Sequence, residues 1–367
     1  MYLRKLSLTG FKNYAGAEFE FSDKINCLVG NNGVGKTNLL DAIHYLSFCK
    51  SWFSSLDNQN IRHGDEFFAI HGQYENGPGT GDLVQCIQKR NQRKRFLLNR
   101  NEYERLADHI GLIPLVMISP YDRDLINDGS ELRRRYIDSV ISQFDRLYLA
   151  GLVQYNKALF QRNALLKSFA ERRVFDGSAL EIWDEQLTGP GEQILARRIG
   201  FLERFTPLFR HYFKLLSNGS EEVDIRYVSK YDGGSYREAF AAALPADRVA
   251  QHTTVGIHRD DLDFLMDGYP VKRYGSQGQQ KSFVVAIKLA QFEFMREVRG
   301  FKPILLLDDV FDKLDDLRVS QLIRMVSENS FGQVFITDTS AERISRIFDE
   351  MEIGHRIFRR PLSTEER

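Results

Sequence analysis

Gly30-Asn31-Asn32-Gly33-Val34-Gly35-Lys36-Thr37 restricts what this chain can fold into more than any other stretch. It fits the spacing G-x-x-x-x-G-K-[ST] of the phosphate-binding loop termed Walker A. The apolar run 25–29 ahead of it suits a buried strand, and Leu39, Leu40, Ile43 and Leu46 behind it recur at helical spacing. A strand, a glycine-rich turn and a helix in that order give the motif its chemistry. The glycines let successive backbone N–H groups point at phosphate oxygens, and the first helical turn adds the favourable end of its dipole. Lys36 is then expected against the β- and γ-phosphates of a nucleotide and the Thr37 hydroxyl on Mg²⁺, with Gly30 to Asn38 forming the nucleotide-binding run.

The 367 residues suffice for two domains, and a hydrophobic content of 43% is ordinary for a soluble globular protein. Lys plus Arg and Asp plus Glu both total 50, so no global field attracts nucleic acid and any such partner must be met by local patches. No apolar run approaches the ~20 residues of a membrane span, and MYLRKLSLTGF lacks the long apolar region of a signal peptide. A cytoplasmic location with no membrane association is expected. Cys27, Cys49 and Cys86 carry no metal-type spacing and read as reduced, small apolar residues.

Residues 2–9 and 17–21 read as strands around the turn-like GFKNYAG, and residues 66–118 are rich in strand patterns. Between two of these lies Lys89-Arg90-Asn91-Gln92-Arg93-Lys94-Arg95, a basic hairpin tip that either grips phosphates or is simply solvated. After Pro120 the character changes. Ile137, Val140, Ile141, Phe144, Tyr148, Leu152, Tyr155 and Leu159 keep a helical period from Glu131 to about Phe169. A second helical stretch resumes through Ile194, Ile199, Leu202, Phe205, Phe209 and Tyr212, beyond Gly189-Pro190-Gly191, which is expected to end or kink it. Neither keeps a strict heptad, which predicts a compact helical lobe and not an extended coiled coil. Arg133, Arg134 and Arg135 open the first long helix as a contact surface or a solvated face.

Strands return at 223–231 and near 263–274, followed by YGSQGQQKS and a helix with Phe283, Ile287, Ala290 and Phe294 on one face. Small polar residues before a helix form a possible anion site. Ile304 to Leu307 is an apolar strand ending in Asp308-Asp309, as expected when carboxylates stand at the carboxyl end of a parallel strand beside the phosphate loop. Asp308 is the expected Walker B ligand of the Mg²⁺ shell, and Asp309 the residue that orients or deprotonates the attacking water. The run 334–337 is expected to join the same sheet.

In this order the pieces resemble the ABC-type ATPases of chromosome maintenance and repair, and among them the RecF family. The resemblance covers essentially the whole length: LTGFKNY and GNNGVGKTNLLDAIHYLS, then ISPYDRDLINDG, RRRYID and YNKALFQRNALLK, then GIHRDDLDF, YGSQGQQKS and ILLLDDVFDKLD. It implies an α/β fold: an ABC-type P-loop ATPase head with mixed sheets around the Walker A helix and an inserted, mainly helical second lobe. The implied lobes are 1–120 with 303–367, carrying Walker A and B, and 121–302, carrying a small sheet and the signature.

The resemblance further implies that Lys12 and Asn13 touch nucleotide. Ser276, Gly278 and Gln279 of SQGQQ, similar to the ABC signature, would contact it across a head-to-tail homodimer formed with ATP, and Asp315 would sit at that interface. Members bind DNA at gaps or junctions of single and double strands, act with RecO and RecR to load RecA and induce the SOS response, and hydrolyse ATP slowly. Ser119-Pro120-Tyr121-Asp122 holds no glutamine for Mg²⁺, Asp338 stands where a switch histidine is common, and Asp309 is shorter than the usual glutamate. These departures fit hydrolysis that times release. The ATPase subunit of a membrane transporter shares the same heart, but SQGQQ and the helical insert speak against it, as the missing N-K-x-D motif speaks against a GTPase.

Overall fold

The computed structural model describes residues 1–77, 80–217, 221–231, 235–310, 321, 331–340, 342, 348 and 354–359. In chain order the strands are β1 (Tyr2–Phe11), β2 (Tyr14–Glu20), β3 (Ile25–Val29), β4 (Phe67–Gly77), β5 (Thr80–Lys89), β6 (Arg95–Leu98), β7 (Asn101–Glu102), β8 (Leu115–Ile118), β9 (Val223–Val228), β10 (Asp261–Met266), β11 (Tyr269–Pro270), β12 (Ile304–Leu307), β13 (Val334–Asp338) and β14 (His355–Phe358). The helices are α1 (Lys36–Phe48), α2 (Asp124–Asn127), α3 (Ser130–Ser142), α4 (Arg146–Arg172), α5 (Gly177–Ser217), α6 (Tyr236–Ala250), α7 (Val271–Tyr274) and α8 (Gln277–Arg299).

Two compact units divide the chain. The first comprises Met1–Asp122, Tyr212–Gly219 and Lys281–Arg367, the second Arg123–His211 and Ser220–Gln280. The sequence boundary at 302 thus falls elsewhere: most of α8 and the end of α5 belong with the first unit. Phe283, Ile287, Ala290 and Phe294 are fully buried there, and Phe213 meets Phe283 edge-on at 6.1 Å.

The first unit holds two sheets. β14-β3-β13-β12-β8 is wholly parallel, and its central strands are buried at every residue, the pattern of a sheet covered on both faces. β2-β1-β4-β5-β6-β7 is antiparallel and alternates along β1 and β4. α1 packs on both sheets, so it is buried almost all round, with Leu39, Leu40, Ile43, Tyr45 and Leu46 inaccessible and the polar Asp41, His44 and Ser47 buried among them. Its approach to β4 is close enough that a Cβ on Gly72 would stand 2.5 Å from Leu46 Cδ1. Gln333 ties the sheets together: its Oε1 accepts from Leu3 N at 2.8 Å, and its Nε2 donates to Leu3 O and Ser22 O at 2.8 and 2.7 Å. The three cysteines are free and buried.

In the second unit a three-stranded antiparallel sheet, β11-β10-β9, accompanies the helices. The helical period from 131 to 169 is two helices and not one, because Asp145 caps α4 by accepting from Tyr148 N at 2.8 Å. α5 runs on through Pro190 and Pro207, so of the two outcomes expected at 189–191, an end or a kink, the helix does not end there. Leu187 and Ile194, on either side of Pro190, are both fully buried, so tertiary packing offsets the lost donor. Two arginines lie inside this unit. Arg162 donates to Asp184 at 2.5 Å and Asp247 at 2.6 Å, joining α4, α5 and α6. Arg198 bonds Asp138, Tyr148, Tyr227 and the Ile257 carbonyl. α6 and β14 have no counterpart in the sequence reading.

The basic hairpin between β5 and β6 is not a uniform cationic tip. Lys94 is buried, its Nζ bonded to both Asp57 oxygens and to Tyr45 Oη at 2.8 Å and lying 4.8 Å from the Tyr45 ring. Arg95 pairs with Glu102 at 2.9 Å, and Arg93 donates to the Glu104 carbonyl at 2.7 Å. Lys94 is therefore structural. Lys94→Met should lower the unfolding free energy in a urea titration by about 2 kcal/mol, the scale of a buried charged hydrogen bond, whereas Arg93→Met should stay within about 0.5 kcal/mol of the parent.

Candidate functional site

The phosphate loop connects β3 to α1. Asn31, Asn32 and Gly33 are exposed, Val34 is half-buried, and Gly35 and Lys36 are buried. Gly35 has φ +105°, and a Cβ there would lie 2.7 Å from Asn13 Nδ2 and 2.9 Å from Tyr14 Oη. Conformation and space both require glycine. The Tyr14 hydroxyl donates to Gly35 O at 3.0 Å, and Asn38 Nδ2 donates to Asn13 Oδ1 at 2.8 Å, so the β1–β2 turn braces the loop. Lys36 Nζ lies back along the loop on Gly30 O at 2.5 Å and Asn31 O at 3.3 Å. An ammonium on main-chain carbonyls of the loop, with no ion pair among the described residues, is ready for phosphate oxygens.

Lys12 is placed differently. Its ammonium reaches Asp41 Oδ2 at 2.5 Å and lies over the Phe53 ring at 5.2 Å. The inaccessible Asp41 also accepts from Ser51 Oγ at 2.6 Å and Trp52 N at 2.7 Å. Asn13 and Asn38 thus adjoin the loop, while the charge of Lys12 is already matched.

Strand order sets the acidic half. β13 separates β3 from β12, and all three run parallel, so their carboxyl ends open on the same edge as the loop. There Thr37 Oγ1 donates to Asp308 Oδ1 at 2.9 Å. Thr337, at the end of β13, donates to the same oxygen at 2.9 Å and accepts from Asp309 N at 2.8 Å. Asp309 has φ +46°, a left-handed conformation that this N–H bond secures. Burial raises the Asp308 carboxyl above its ordinary value of 3.8, with Asp309 adding to the rise, against the pull of the Thr337 and Thr37 hydroxyls and of Lys36. A buried carboxylate and a hydroxyl offer hard oxygen donors, which suit Mg²⁺.

Neither Thr337 nor Tyr14 was evident from the sequence, since neither stands at a motif position. Asp122, in the segment that lacks a glutamine, is committed elsewhere: it is buried, ion-paired with Lys288 at 2.8 Å, and accepts from Ser119 N at 2.6 Å. Asp338 accepts from Gly30 N through its carbonyl at 3.2 Å and from Ser340 N through Oδ1 at 2.7 Å, which fixes the loop's first residue to β13.

The signature segment lies in the second unit. Ser276 Oγ accepts from Gln279 N at 3.2 Å while Gln279 Oε1 accepts from Ser276 N at 2.7 Å, a reciprocal capping box at the start of α8. Gln279 Nε2 also donates to Glu221 at 3.0 Å. Ser276 is exposed, and a Cβ on Gly278 would meet nothing within 4 Å, so this helix end is open on its outer side. Asp315 lies outside the described residues.

Residues 2–357 match the RecF/RecN/SMC N-terminal domain family. The chain is 48% identical over 358 residues to a DNA replication and repair protein RecF of Flavobacterium johnsoniae, covering 98% of this chain and 99% of that protein. It is 46% identical over 359 residues to the RecF of Phocaeicola vulgatus, covering 98% and 96%. A solved structure of the recombination mediator protein RecF with ATP, in the RecFOR pathway, superposes with a TM-score of 0.86 at 32% identity, covering 93% of this chain and 92% of that one.

The raised Asp308 pKa has a sign. A carboxyl whose pKa is higher in the folded than in the unfolded chain costs stability above the folded pKa, and the cost disappears as pH falls to the ordinary carboxylate value. Asp308→Asn keeps the accepting oxygen and removes the charge. Its midpoint in thermal unfolding of the ligand-free chain should exceed the parent's at pH 7 and converge with it near pH 4. A gap independent of pH would show that Asp308 carries no buried charge.

Proposed function

The chain belongs to the RecF family of DNA replication and repair proteins, and from that premise we propose that it is an ATP-switched DNA-binding protein of recombinational repair and replication restart. The observation that carries this reading is the 2.9 Å contact of Thr37 with Asp308, which joins a phosphate loop to a buried acid across three parallel strands. Without that contact, glycine-rich turn and acidic strand end would be two unrelated features.

The loop backbone from Gly30 to Gly35 and the Lys36 ammonium would hold the phosphates of ATP, with Asn13 and Asn38 beside them. Lys36 exchanges its two carbonyl contacts for phosphate oxygens, which makes its binding energy specific to an anion. Thr37 and Asp308 would hold Mg²⁺, which when bound neutralises phosphate charge. Asp309 is the residue to orient water, kept in place by its N–H bond to Thr337. Its short side chain suits slow turnover, with hydrolysis serving release more than throughput.

Ser276, Gly278 and Gln279 complete the site from a second copy. An exposed helix start capped by its own serine is preorganised to receive the charge of the partner's nucleotide. ATP then acts as the glue of a head-to-tail homodimer, and the dimer, not the monomer, closes on DNA at gaps and junctions. As relatives of the RecFOR pathway suggest, RecO and RecR are the partners, RecA loading the outcome and SOS induction the downstream signal.

Lys36→Ala should weaken ATP binding at least about 100-fold in equilibrium titration, since the lysine supplies the main charge on the phosphates. Affinity equal to the parent's would remove the site. Ser276→Arg should bind ATP like the parent yet sediment as a monomer when ATP is saturating. A dimer that forms normally would rule out the signature's role across copies.

A further inference from the structure

One cavity of the second unit has no part in the nucleotide site. It measures ≈290 Å³, and the residues that line it include Glu131, Arg134, Arg135, Asp138, Asn156, Arg198 and His258. Most of its charges are already matched. Arg198 is 1% exposed and bound to Asp138 at 2.8 Å, and Arg135 pairs with Glu131 at 2.5 Å. His258 has both nitrogens occupied, Nδ1 on Tyr155 Oη at 2.8 Å and Nε2 on the Thr253 carbonyl at 3.1 Å. Burial lowers its pKa to about 4, so it is neutral at pH 7.

Arg134 is the exception. Its Nη1 donates to the main-chain carbonyl of Asp260 at 2.6 Å, and no ion pair with a carboxylate forms among the described residues. The neighbouring arginine of the same triplet, Arg133, is by contrast locked in a two-pronged pair with Asp261 at 2.7 and 2.9 Å. Burial, and secondarily the charge of Arg198, lower the Arg134 pKa, against the pull of the Asp261, Glu131 and Asp138 carboxylates, none of which it contacts in an ion pair. An anion bound directly to the guanidinium would favour its charged form and offset the repulsion from Arg198.

We propose that this cavity binds a phosphate group, received by Arg134 with Arg135 and Asn156 at the mouth, and supplied either by free phosphate or nucleotide in solution or by a DNA strand. A guanidinium fixed at one nitrogen presents its remaining N–H groups in one plane, the geometry that phosphate oxygens match best. A concave site with one arginine outside any ion pair among the described residues takes a single phosphate, unlike the extended basic stripe that follows a duplex backbone. The DNA source alone rests on the function proposed above, while the phosphate site itself does not.

The test uses the full chain. In a Lys36→Ala background, where the loop no longer competes, inorganic phosphate at constant ionic strength should raise the thermal midpoint. Adding Arg134→Gln should abolish that rise, and Arg134→Lys should retain part of it. Asn156→Asp, an exposed change that puts a negative charge at the mouth without touching the arginine, should also suppress it and serves if Arg134→Gln does not fold. For the DNA arm, with Lys36 intact and ATP present, single strands with and without a terminal phosphate are compared by fluorescence anisotropy. A roughly tenfold preference for the phosphorylated strand that Arg134→Gln removes assigns the source to DNA. A phosphate response lost in Arg134→Gln with no such preference assigns it to solution. A phosphate response unchanged by Arg134→Gln and Asn156→Asp, or none in the Lys36→Ala background, overturns the proposal. Loss of all DNA binding by the parent would instead count against the proposed function and leave the phosphate arm to decide the cavity.

Discussion

Everything at the nucleotide site depends on a hydroxyl and a carboxylate 271 residues apart meeting at 2.9 Å. That distance is set by strand order. β13 lies between β3 and β12, so the turns leaving β3 and β12 flank a single strand end, and Thr337 on that end bonds the acid as Thr37 does. Moving any of these strands by one residue would turn its buried side chains to the other face. Gln333, at the start of β13, resists such slippage from below by clamping Leu3 and Ser22. The site is therefore held at both ends of one strand.

The second unit uses another device. The α4 stripe Tyr148, Tyr155, Arg162 and the α5 stripe Ile194, Arg198, Phe205 are each apolar or aromatic except for one fully buried arginine. Arg162 is matched by two aspartates and Arg198 by Asp138 and two tyrosyl hydroxyls, so each guanidinium dictates which helices meet and in what register. Such buried networks contribute uniqueness of packing more securely than net stability. Beside one of them Arg134 bonds a main-chain carbonyl and makes no ion pair among the described residues.

Local patterns were legible wherever a backbone or an apolar stripe carries the signal. β3, α1, β12 and the acidic pair were readable because a buried parallel strand is apolar throughout and a phosphate loop needs glycines at fixed spacing. α6 was missed: Tyr236 and Phe240 start a buried row, but Pro245 inside the helix reads as a breaker and the row goes on in Ala243 and Asp247. The helix does not end at Pro190, because a helix buried on both sides of a proline tolerates the lost hydrogen bond. For charged residues the sequence is a poorer guide. Lys94 and Arg133 stand in basic runs that read as either contact surfaces or solvated faces, yet Asp57 and Asp261, 37 and 128 residues away, claim them.

By itself, the sequence determined the phosphate loop, the acid opposite it, the capped helix start at Ser276 and the division into a mixed α/β part and a helical part. Each is written in short-range spacing, which the backbone reads directly. Tertiary structure alone decided that Tyr14 braces Gly35, that Thr337 serves both aspartates, that Lys12 answers to Asp41, and that Arg134, unlike the arginines on either side of it, bonds a main-chain carbonyl in place of a carboxylate. These depend on which distant strands and helices become neighbours, and electrostatic pairing is settled by distance in space, where separation along the chain has no weight.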